Sequence, residues 1–405
     1  MGGVNITVVG IGADGWDGLV PSSRALVEAA EVLFGGERHL DLVPAVEGQV
    51  RTPWPRPMTG LPTFLQQYDD RRVVALASGD PLVSGIGTTL IRLLGPDAVT
   101  VVPAVSSVAL ARARMGWSAE ETTVVSLVGR DPAALRRELA AGQRLLVLSS
   151  DETTPMAVAE LLDTDGYDDT RMTILGNLGG PDEYRYDGTT HDYGAWSSDL
   201  PRLHVLAIEI PASEPDINTW ATGIRDDLFE HDGQLTKRDV RASALSRLEP
   251  KPGQLLWDIG AGAGSVGIEW LRVHPRTNAI AVESDPARVE RINRNAAELG
   301  VPRLWVVEGR APDALADLPR PDAIFVGGGA TAPGLLELCL DRLAPNGRLV
   351  IHGVTLETEQ LLIASFHEHG GELTRLSVEH VTPLGGRFTG WTPSRAVVQW
   401  TWEKS

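Results

Sequence analysis

A tight cluster of small residues at the end of an apolar run is the feature of the sequence best suited to holding a ligand. The run at 255–259 leads into five small residues, Gly260, Ala261, Gly262, Ala263 and Gly264. Glycines after a strand let the backbone approach a ligand closely, and the N-terminus of the next helix offers free N–H groups. Glu283 ends the next predicted strand, where its carboxylate can accept hydrogen bonds from ribose hydroxyls. This order of elements predicts a site for a ligand that contains a ribose.

The spacing of these glycines helps to choose between two ligands. A dinucleotide loop reads G-x-G-x-x-G and places a pyrophosphate against the helix. The glycines at 260, 262 and 264 are closer together than that, and Asp258 precedes them, where a carboxylate would repel a pyrophosphate. S-adenosylmethionine fits better, because it has a ribose and an amino-acid tail but no phosphate. An NAD-linked oxidoreductase built on residues 255–283 stays open as an alternative, which a nicotinamide absorbance assay would distinguish.

Three loops of small residues follow predicted strands in the N-terminal half. They occupy residues 10–15, 78–85 and 103–107. Loops at the carboxyl ends of parallel strands meet at one edge of a sheet and form a cleft there. We therefore expect a second small-molecule site at this edge.

The composition excludes several classes of function. The chain has 405 residues, with 36 Lys and Arg against 54 Asp and Glu, so its formal net charge is −18. Nucleic acids and anionic membranes both need a basic face, so neither is the expected partner. The only lysines are Lys237, Lys251 and Lys404. Residues 1–230 therefore cannot use Schiff-base chemistry or a Walker-type lysine.

The cysteine count and the hydropathy pattern set further limits. Cys339 is the single cysteine, so an intramolecular disulfide or a thiolate zinc site is excluded. It lies in an apolar helical stretch and is expected to be a buried, inert thiol. No apolar run reaches the ~18 residues of a membrane span, and no basic segment precedes the first apolar run at the N-terminus. We expect a soluble, cytoplasmic protein that holds no metal.

Strands alternate with helices along the chain, which predicts an α/β fold. In the N-terminal half the predicted strands are 5–10, 73–77, 99–102, 124–127, 145–148, 172–175 and 205–210. The predicted helices there are 22–33, 88–94, 133–141 and 154–162. In the C-terminal half the strands are 255–259, 279–283, 304–308, 323–326, 348–352 and 397–402. The helices of that half are 265–274, 286–299 and 334–343. A proline-rich, acidic stretch at 211–216 interrupts the pattern, which indicates one domain over 1–212, a linker over 213–230 and a second domain over 231–405.

The second domain carries a specific family resemblance. Around the glycine loop stand GQLTKRDVR at 233–241, VEGRAP at 307–312, DAIFVGGG at 322–329 and VTLET at 354–358. Together they resemble the decarboxylating precorrin methyltransferase domain of cobalamin biosynthesis, which has a Rossmann-like class I methyltransferase fold. One departure is Ala263, where the family often has threonine. The resemblance implies an S-adenosylmethionine pocket formed by Thr236, Gly260, Ala261, Gly262, Ala263, Gly264, Glu283 and Ala311.

The first domain resembles a different family. The segments VVGIGADG at 8–15, ASGDPLVSG at 77–85, PAVSS at 103–107 and LGNLGGPDE at 175–183 are similar to those of the tetrapyrrole methyltransferases. Departures are Ala13, Ala104 and Gly176, where proline, glycine and glutamate are usual. The family fold has two α/β subdomains, here about 1–115 and 120–212, with S-adenosylmethionine between them. The matching positions are Ser78, Gly79, Asp80, Val83, Ser106 and Ser107.

The two resemblances in this order imply one bifunctional enzyme of corrin biosynthesis. It would methylate a precorrin-6 intermediate at C5 and C15, remove carbon dioxide from the ring-C acetate and give precorrin-8. It would hold one S-adenosylmethionine per domain and no metal, and the fusion of two activities favours a cobalt-free substrate. An assembly of several copies, such as a tetramer through the C-terminal domain, is also implied. A non-catalytic tetrapyrrole carrier is the remaining alternative.

For several side chains the sequence is consistent with either a functional or a structural role. His352 ends a predicted strand near the second pocket, where it is either a proton carrier or a structural histidine. Arg310 either pairs with a substrate carboxylate or is a surface residue. Trp257 and Trp270 flank the glycine loop and are expected in the core, and Trp391 is expected in packing or at a subunit interface. No catalytic base is assigned.

Overall fold

The computed structural model describes residues 5–55, 60–195, 200–213 and 219–405. Residues 214–218 of the predicted linker and the first four residues of the chain lie outside the described residues. Contacts group the chain into two units. The first consists of Met1–Pro132 with Leu139–Asp216, and the second consists of Ala133–Glu138 with Ile217–Ser405. In both units strands alternate with helices, so the predicted α/β class is confirmed.

The first unit is built from short strands and helices. Its strands are β1 (Ile6–Ile11), β2 (Val32–Gly35), β3 (Val50–Pro53), β4 (Val73–Ser78), β5 (Val99–Val102), β6 (Thr123–Ser126), β7 (Arg144–Leu148), β8 (Arg171–Gly176), β9 (Tyr184–Thr189) and β10 (His204–Glu209). Its α-helices are α1 (Gly15–Gly18), α2 (Pro21–Ala29), α3 (Glu37–Asp41), α4 (Leu61–Gln66), α5 (Ile86–Leu94), α6 (Ser107–Met115) and α7 (Thr154–Thr164). Segments of 3-10 helix occur at Pro96–Ala98 and Thr190–Ala195, and a third, Pro132–Glu138, contains the residues that group with the second unit.

Two sheets organise these strands. The first has the order β3-β2-β4-β1-β5, with every neighbouring pair parallel. Along β1, Ile6 and Val8 pack into the core on one face, while Val9 and Ile11 pack on the other. Burial on both faces explains why the inner strands are continuous apolar runs. The second sheet has the order β6-β7-β10-β8-β9, in which β6 and β7 are parallel and the other pairs are antiparallel.

The second unit contains one large sheet. Its strands are β11 (Leu255–Ile259), β12 (Asn278–Glu283), β13 (Trp305–Glu308), β14 (Ala323–Val326), β15 (Arg348–Gly353), β16 (Glu372–Leu376), β17 (Glu379–Gly385), β18 (Phe388–Pro393) and β19 (Val397–Glu403). Its α-helices are α8 (Arg238–Leu248), α9 (Ser265–Val273), α10 (Pro286–Glu298), α11 (Leu335–Arg342) and α12 (Leu356–His369), and 3-10 segments lie at Asp226–Leu228 and Asp313–Leu315. The sheet order is β13-β12-β11-β14-β15-β19-β16, and β19 runs antiparallel to both of its neighbours.

This order places a switch point at the middle of the sheet. The chain moves outward from β11 to β12 and β13, then returns to the other side of β11 at β14. Crossovers of opposite direction leave a crevice at the carboxyl ends of β11 and β14, where open α/β sheets bind their ligands. Trp270 is buried in the core on one face of the sheet and Trp257 in the core on the other, as predicted. Cys339 is buried as well.

Part of the predicted linker packs into the second unit. Ile224 and Phe229 are 3% and 4% exposed and belong to its core. By contrast, β17 and β18 form a separate two-stranded sheet whose residues are mostly exposed. Within the ranges that the structure describes, no helix has the length and apolar character needed to cross a membrane.

The sequence misplaced several elements. The predicted helix 22–33 is wrong at its end, because α2 ends at Ala29 and Val32–Gly35 is the fully buried strand β2. The pairing of β2 between β3 and β4 outweighs the helical pattern that continues into it. The predicted helix 133–141 is a 3-10 segment over Pro132–Glu138, as short segments often are. The sequence also missed β3, β9 and the β17–β18 hairpin, which are exposed and lack an apolar pattern.

Candidate active sites

A cavity of about 910 Å³ opens at the switch point of the second unit. Loops after four parallel strands form one side of it. These are the glycine loop after β11, Glu283 and Ser284 after β12, Gly309–Ala311 after β13, and Gly327–Gly329 after β14. The segment 233–237 forms a further wall, ahead of helix α8. The predicted small residues therefore meet at one place, although they are up to 75 positions apart in the chain.

The glycine loop needs its glycines for two different reasons. Gly260, Gly262 and Gly264 have φ values of +66°, +60° and +76°, which other residues rarely adopt. A Cβ atom on Gly260 would lie 2.8 Å from the carbonyl oxygen of Gly328, and one on Gly262 would lie 2.8 Å from that of Gln234. A Cβ atom on Gly264 would instead meet Ile292 of α10 at 2.8 Å. The first two glycines keep the cavity walls close together, and the third serves helix packing.

Glu283 is held in place by backbone N–H groups. Its Oε2 accepts a hydrogen bond from Gly262 N at 2.9 Å, and its Oε1 accepts two, from Ser284 N at 2.8 Å and Asp285 N at 3.1 Å. A carboxylate has about four acceptor sites, so one on Oε2 is left for a ligand. The residue is 5% exposed and lines the cavity. Its orientation is therefore fixed before a ligand arrives.

The structure brings most of the predicted second-domain residues to this cavity. Those that line it are Thr236, Gly260, Ala261, Gly262, Glu283 and Ala311. Ala263 and Gly264 do not line it. Ala263 is 1% exposed and belongs to the core, and Gly264 is the N-cap residue of α9.

Asp258 lies buried beneath the glycine loop. Its Oδ2 accepts a hydrogen bond from Gly267 N at 2.8 Å, which satisfies a free N–H group in the first turn of α9. Burial raises the pKa of this carboxyl to about 7, against the lowering effect of the Gly267 N–H, and the charge of Glu283 adds to the increase. Burial therefore favours the protonated form of this side chain.

A buried arginine holds the 223–237 segment against the rest of the second unit. Arg241 is fully buried, with Nε 2.5 Å from Glu269 Oε1 and Nη1 3.1 Å from Asp226 Oδ1. It also donates hydrogen bonds to the carbonyl oxygens of Thr236 and Ile224. Glu269 in turn accepts hydrogen bonds from Gly223 N at 2.7 Å and Ile224 N at 2.9 Å. This network places Thr236 at the cavity wall.

The far half of the cavity has a different character. Val354, Leu376, Val378 and Val397 line it together with His352. His352 is 8% exposed, its Nε2 is 3.0 Å from Gln399 Oε1, and burial lowers its pKa to about 4. Five further side chains that can carry a positive charge also reach the cavity lining, Lys237, Arg288, Arg310, His380 and Arg395. Sequence reasoning missed Gln399 and Arg395, since neither stands in a recognisable motif.

The three predicted loops of the first unit do converge. A Cβ atom on Gly10 would lie 1.9 Å from the carbonyl oxygen of Gly79 and 2.6 Å from Ala104 N. Gly79 N donates to Ile11 O at 2.9 Å, and Gly79 O accepts from Ala104 N at 3.1 Å. The loops after β1, β4 and β5 are therefore in direct backbone contact at one edge of the first sheet.

The side chains predicted at this edge have local roles as well. Asp80 Oδ1 accepts a hydrogen bond from Leu82 N at 2.9 Å, which closes a tight turn. Ser106 is the N-cap of α6, where its Oγ accepts from Ala109 N at 3.2 Å, and Ser107 begins that helix. Val83 packs against an apolar cluster that includes Val108. The backbone around Gly79 is thus shaped by the same residues that were expected to bind a ligand.

A cluster beside Ser78 was missed by the sequence. Ser78 Oγ is 2.8 Å from His39 Nε2 and 3.1 Å from Arg38 Nη2. Burial and the charge of Arg38 lower the pKa of His39 to about 4. Both residues follow β2, the strand that was predicted as the end of a helix. Recognising Val32–Gly35 as a strand that ends in glycine would have pointed to them.

Comparison with known proteins gives two family matches and close full-length relatives. The family of Tetrapyrrole (Corrin/Porphyrin) Methylases matches residues 5–193, and the Precorrin methyltransferase domain matches residues 227–404. A precorrin-6Y C(5,15)-methyltransferase (decarboxylating) from Sinorhizobium sp is 44% identical over 402 residues, 98% of this chain and 96% of that protein. One of the same name from Mycobacterium tuberculosis is 46% identical over 401 residues, 98% of this chain and 99% of that protein. The crystal structure of the C-terminal domain of precorrin-6Y C5,15-methyltransferase from Rhodobacter capsulatus is 43% identical and covers 46% of this chain and 100% of that one, with a TM-score of 0.44.

Proposed function

The chain belongs to the family of decarboxylating precorrin-6Y C5,15-methyltransferases, and from this premise we propose that its two units divide the family reaction between them. The protein is an S-adenosylmethionine-dependent methyltransferase of cobalamin biosynthesis. It methylates a precorrin-6 intermediate at C5 and C15 and removes the carboxylate of the ring-C acetate. The second unit carries out the C15 methylation and the decarboxylation, and the first unit carries out the C5 methylation.

The cavity of the second unit supports this division. Its near half offers a closely approachable backbone at Gly260–Gly262 and one fixed acceptor on Glu283, which suit a nucleoside with an amino-acid tail. Asp258 is buried beneath the loop and does not line the cavity. Gly262, Gly264 and Gly267 keep a G-x-G-x-x-G spacing, so the preference for S-adenosylmethionine over a dinucleotide rests on the family. The residues that would hold S-adenosylmethionine are Thr236, Gly260, Ala261, Gly262, Glu283 and Ala311.

In the first unit the donor site is proposed at the three converging loops. Close backbone contact among Gly10, Gly79 and Ala104 leaves N–H and C=O groups at one sheet edge, which can bind a polar ligand without charged side chains. The proposed residues are Ser78, Gly79, Asp80, Val83, Ser106 and Ser107. Each unit then binds one S-adenosylmethionine, and no metal takes part.

Methyl transfer makes modest demands on this protein. The donor carries its methyl group on a sulfonium and leaves as a neutral thioether, so placement in line with the acceptor carbon matters more than a strong base. The exposed Arg310 and Arg395 reach the same cavity and would bind carboxylates of the macrocycle by charge-assisted hydrogen bonds. The protein's part is to hold the acceptor carbon at contact distance and to exclude water.

The observation that carries the proposal is the pair of glycine-rich loop clusters, and calorimetry with S-adenosylhomocysteine tests it. We expect the full chain to bind two molecules. Gly262→Ala should weaken one site at least tenfold, because its Cβ atom would meet Gln234 O at 2.8 Å, and Gly79→Ala should weaken the other, because its Cβ atom would meet Val105 O at 2.9 Å.

Matched controls are available in the same chain. Gly253 and Gly95 also have positive φ values, +91° and +89°, but a Cβ atom on either would meet nothing within 4 Å. Gly253→Ala and Gly95→Ala should therefore leave both sites within twofold of the unmodified protein. Failure of the unmodified chain to bind the compound would contradict the proposal, as would two intact sites in both test variants. With a precorrin-6 substrate, the unmodified chain should add two methyl groups and release one carbon dioxide.

The remaining properties stay predictions. We propose a cobalt-free substrate, a cytoplasmic location, and two domains over 1–212 and 231–405, with the linker segment around Ile224 and Phe229 packed on the second. We also propose that several copies assemble, through the β17–β18 hairpin of the second unit. Four apolar residues on it are exposed by 55% to 69%, namely Val381, Leu384, Phe388 and Trp391. A hairpin of this kind is marginally stable in water unless something covers it.

A further inference from the structure

Removing the ring-C carboxylate requires a proton, and methylating C15 releases one. This inference rests on the proposed function. The proton balance of the two steps requires a group in the second unit that can accept a proton and donate it again. The far half of the cavity contains His352, a buried titratable side chain whose ring lines the cavity. Val354, Leu376 and Val397 form the apolar part of the lining there, and His380 and Arg395 also reach it.

Two side chains contact His352, and a third holds one of these two in place. Gln399 of β19 lies directly opposite it in the antiparallel pair with β15, with Oε1 3.0 Å from His352 Nε2. Phe325 of β14 presses edge-on against the imidazole, with the ring centres 4.8 Å apart. Ser243 of α8 donates its hydroxyl hydrogen to the same Gln399 oxygen at 3.3 Å. The side chain therefore has one orientation, which a proton-transfer group needs.

These contacts also set which nitrogen is available. Gln399 Oε1 is an acceptor, so the imidazole donates to it through Nε2–H. In the neutral ring the lone pair is then on Nδ1. Burial lowers the pKa of His352 to about 4, against a raising effect of Gln399, so the resting ring is neutral and ready to accept a proton.

We infer that His352 Nδ1 takes the proton released at C15 and returns it to the carbon that loses carbon dioxide. As C15 forms its bond to the methyl carbon with an electron pair from the ring, the methyl–sulfur pair stays on sulfur. The C15–H pair then returns to the conjugated system and the proton goes to His352. The acetate C–C bond next breaks, carbon dioxide leaves, and its electron pair enters the macrocycle, which leaves an exocyclic methylene. The imidazolium gives its proton to that methylene and forms the methyl group, so no net proton is consumed.

The chemistry of both carbon centres fits a weakly basic histidine. A C–H bond beside a cationic, iminium-like ring is acidic, so a weak base removes its proton. The same low basicity makes the imidazolium a strong donor toward the methylene carbon. The apolar part of the lining, Val354, Leu376 and Val397, also excludes water from the carboxylate and favours the loss of its charge as neutral carbon dioxide.

Other charged groups share the cavity and are relevant to any dependence on pH. They are Lys237, Asp239, Glu283, Arg310, His380 and Arg395. Arg288 also lines the cavity and is paired with Asp232 at 2.9 Å. The elements packed on β15 include α8, α12, β14 and β19. Helix α8 contributes Asp239 and the buried Arg241, which is paired with Glu269. Helix α12 carries Glu357 and Glu359, of which Glu359 is paired with Arg375, while β14 and β19 contribute the neutral Phe325 and Gln399.

The first test replaces the imidazole in the full chain. His352→Asn keeps a polar side chain but cannot titrate, and it should slow both C15 methylation and carbon dioxide release by about 100-fold or more. Binding of S-adenosylhomocysteine should stay within twofold, which keeps failure of this inference separate from failure of the proposed function. The matched control His367→Asn changes an exposed histidine on α12 and should retain the unmodified rate. A His352→Asn rate within threefold of the unmodified protein would overturn the inference.

The second test does not depend on removing the histidine. Gln399→Glu places a carboxylate beside Nε2, which should raise the pKa of His352 by one to three units. The acidic limb of the rate against pH and the NMR titration of this imidazole should both move upward by that amount. Gln254→Glu, which adds the same charge elsewhere on the unit, should move neither. If the acidic limb stays in place in Gln399→Glu while the imidazole titration moves, His352 does not transfer the proton.

Discussion

At the scale of single residues, the small residues of the sites were predictable and the side chains that act beside them were not. Gly260 and Gly262 could be placed from the sequence because a strand, a glycine loop, a helix, a second strand and the acidic Glu283 stand there in order. Gln399 and Arg395 could not, since a glutamine or an arginine stands in many surroundings and only the tertiary contact gives it a role. His352 was recognised as a candidate, but its partner 47 positions away became visible only in the pairing of β15 with β19.

Asp258 gives a prediction about pH and stability. Its pKa is raised by burial from 3.8 to about 7, so the folded protein holds the proton more tightly than the unfolded chain. The stabilisation from this group is therefore complete below about pH 4 and is lost as the pH rises toward 7, at up to about 1.4 kcal/mol per pH unit. Asp258→Asn should remove this dependence.

Hydrogen exchange of the peptide 255–271 between pH 4 and pH 8, corrected for the intrinsic pH dependence of exchange, measures the effect. The difference in opening free energy between Asp258→Asn and the unmodified protein should change across this range. Asp317→Asn alters an exposed carboxylate of the same unit and should leave the dependence as it is. An identical dependence in Asp258→Asn and the unmodified chain would show that the carboxyl does not titrate in this range.

At the scale of elements, buried strands followed their apolar runs closely. The predicted strands 255–259 and 323–326 coincide with β11 and β14, since both are central in a parallel sheet and buried on both faces. Exposed strands such as β9 and β17 carry polar residues, so their sequences give no such signal. The helix predicted over 22–33 extends wrongly into β2. Residues 32–35 form a strand because they pair with segments distant in the sequence, which a local pattern does not show.

The 223–237 segment gives a prediction at this scale. Arg241→Met would leave Glu269 buried without its cation, which typically costs about 3–5 kcal/mol. We expect the segment to detach, with faster hydrogen exchange over 223–236 and weaker binding of S-adenosylhomocysteine in the second unit, since Thr236 leaves the cavity wall.

The matched control lies on the same helix. Arg247 pairs with Glu372 at 2.9 Å, but both side chains are at least a third exposed. Arg247→Met should cost less than about 1 kcal/mol and leave the exchange of 223–236 as it is. Equal exchange of the segment in Arg241→Met and Arg247→Met would mean that the buried ion pair does not hold it.

At the scale of the whole molecule, the α/β class and the family followed from the sequence, because the two motif sets are long and stand in a fixed order. The predicted linker shows that amino-acid composition alone does not predict which residues are buried. Its residues Ile224 and Phe229 are apolar, and the structure places both in the core of the second unit. Two isolated apolar residues in a polar stretch do not predict burial, because isolated apolar residues are also common on protein surfaces.

The exposed hairpin predicts how the molecule behaves in solution. If other copies cover it, light scattering of the protein at micromolar concentration should give a mass of at least twice 43.5 kDa. The double variant Phe388→Asp, Trp391→Asp should give single chains, because charges on this surface oppose its burial.

Trp305 provides the comparison. It is 50% exposed on β13, at the opposite edge of the large sheet from β16. Trp305→Asp should leave the mass of the assembly as it is. A 43.5 kDa mass for the unmodified protein, or an unchanged mass for the double variant, would rule out assembly through the hairpin.

The antiparallel strand β19 has a consequence for how the protein is made. It lies between β15 and β16 and is synthesised after both. Gln399 therefore emerges from the ribosome after every residue of the cavity lining. Until then β15 has an open edge, and nascent chains that carry it can join one another edge to edge. Ribosome stalling within 397–403 should therefore yield chains whose first unit is folded and whose second unit is prone to aggregate.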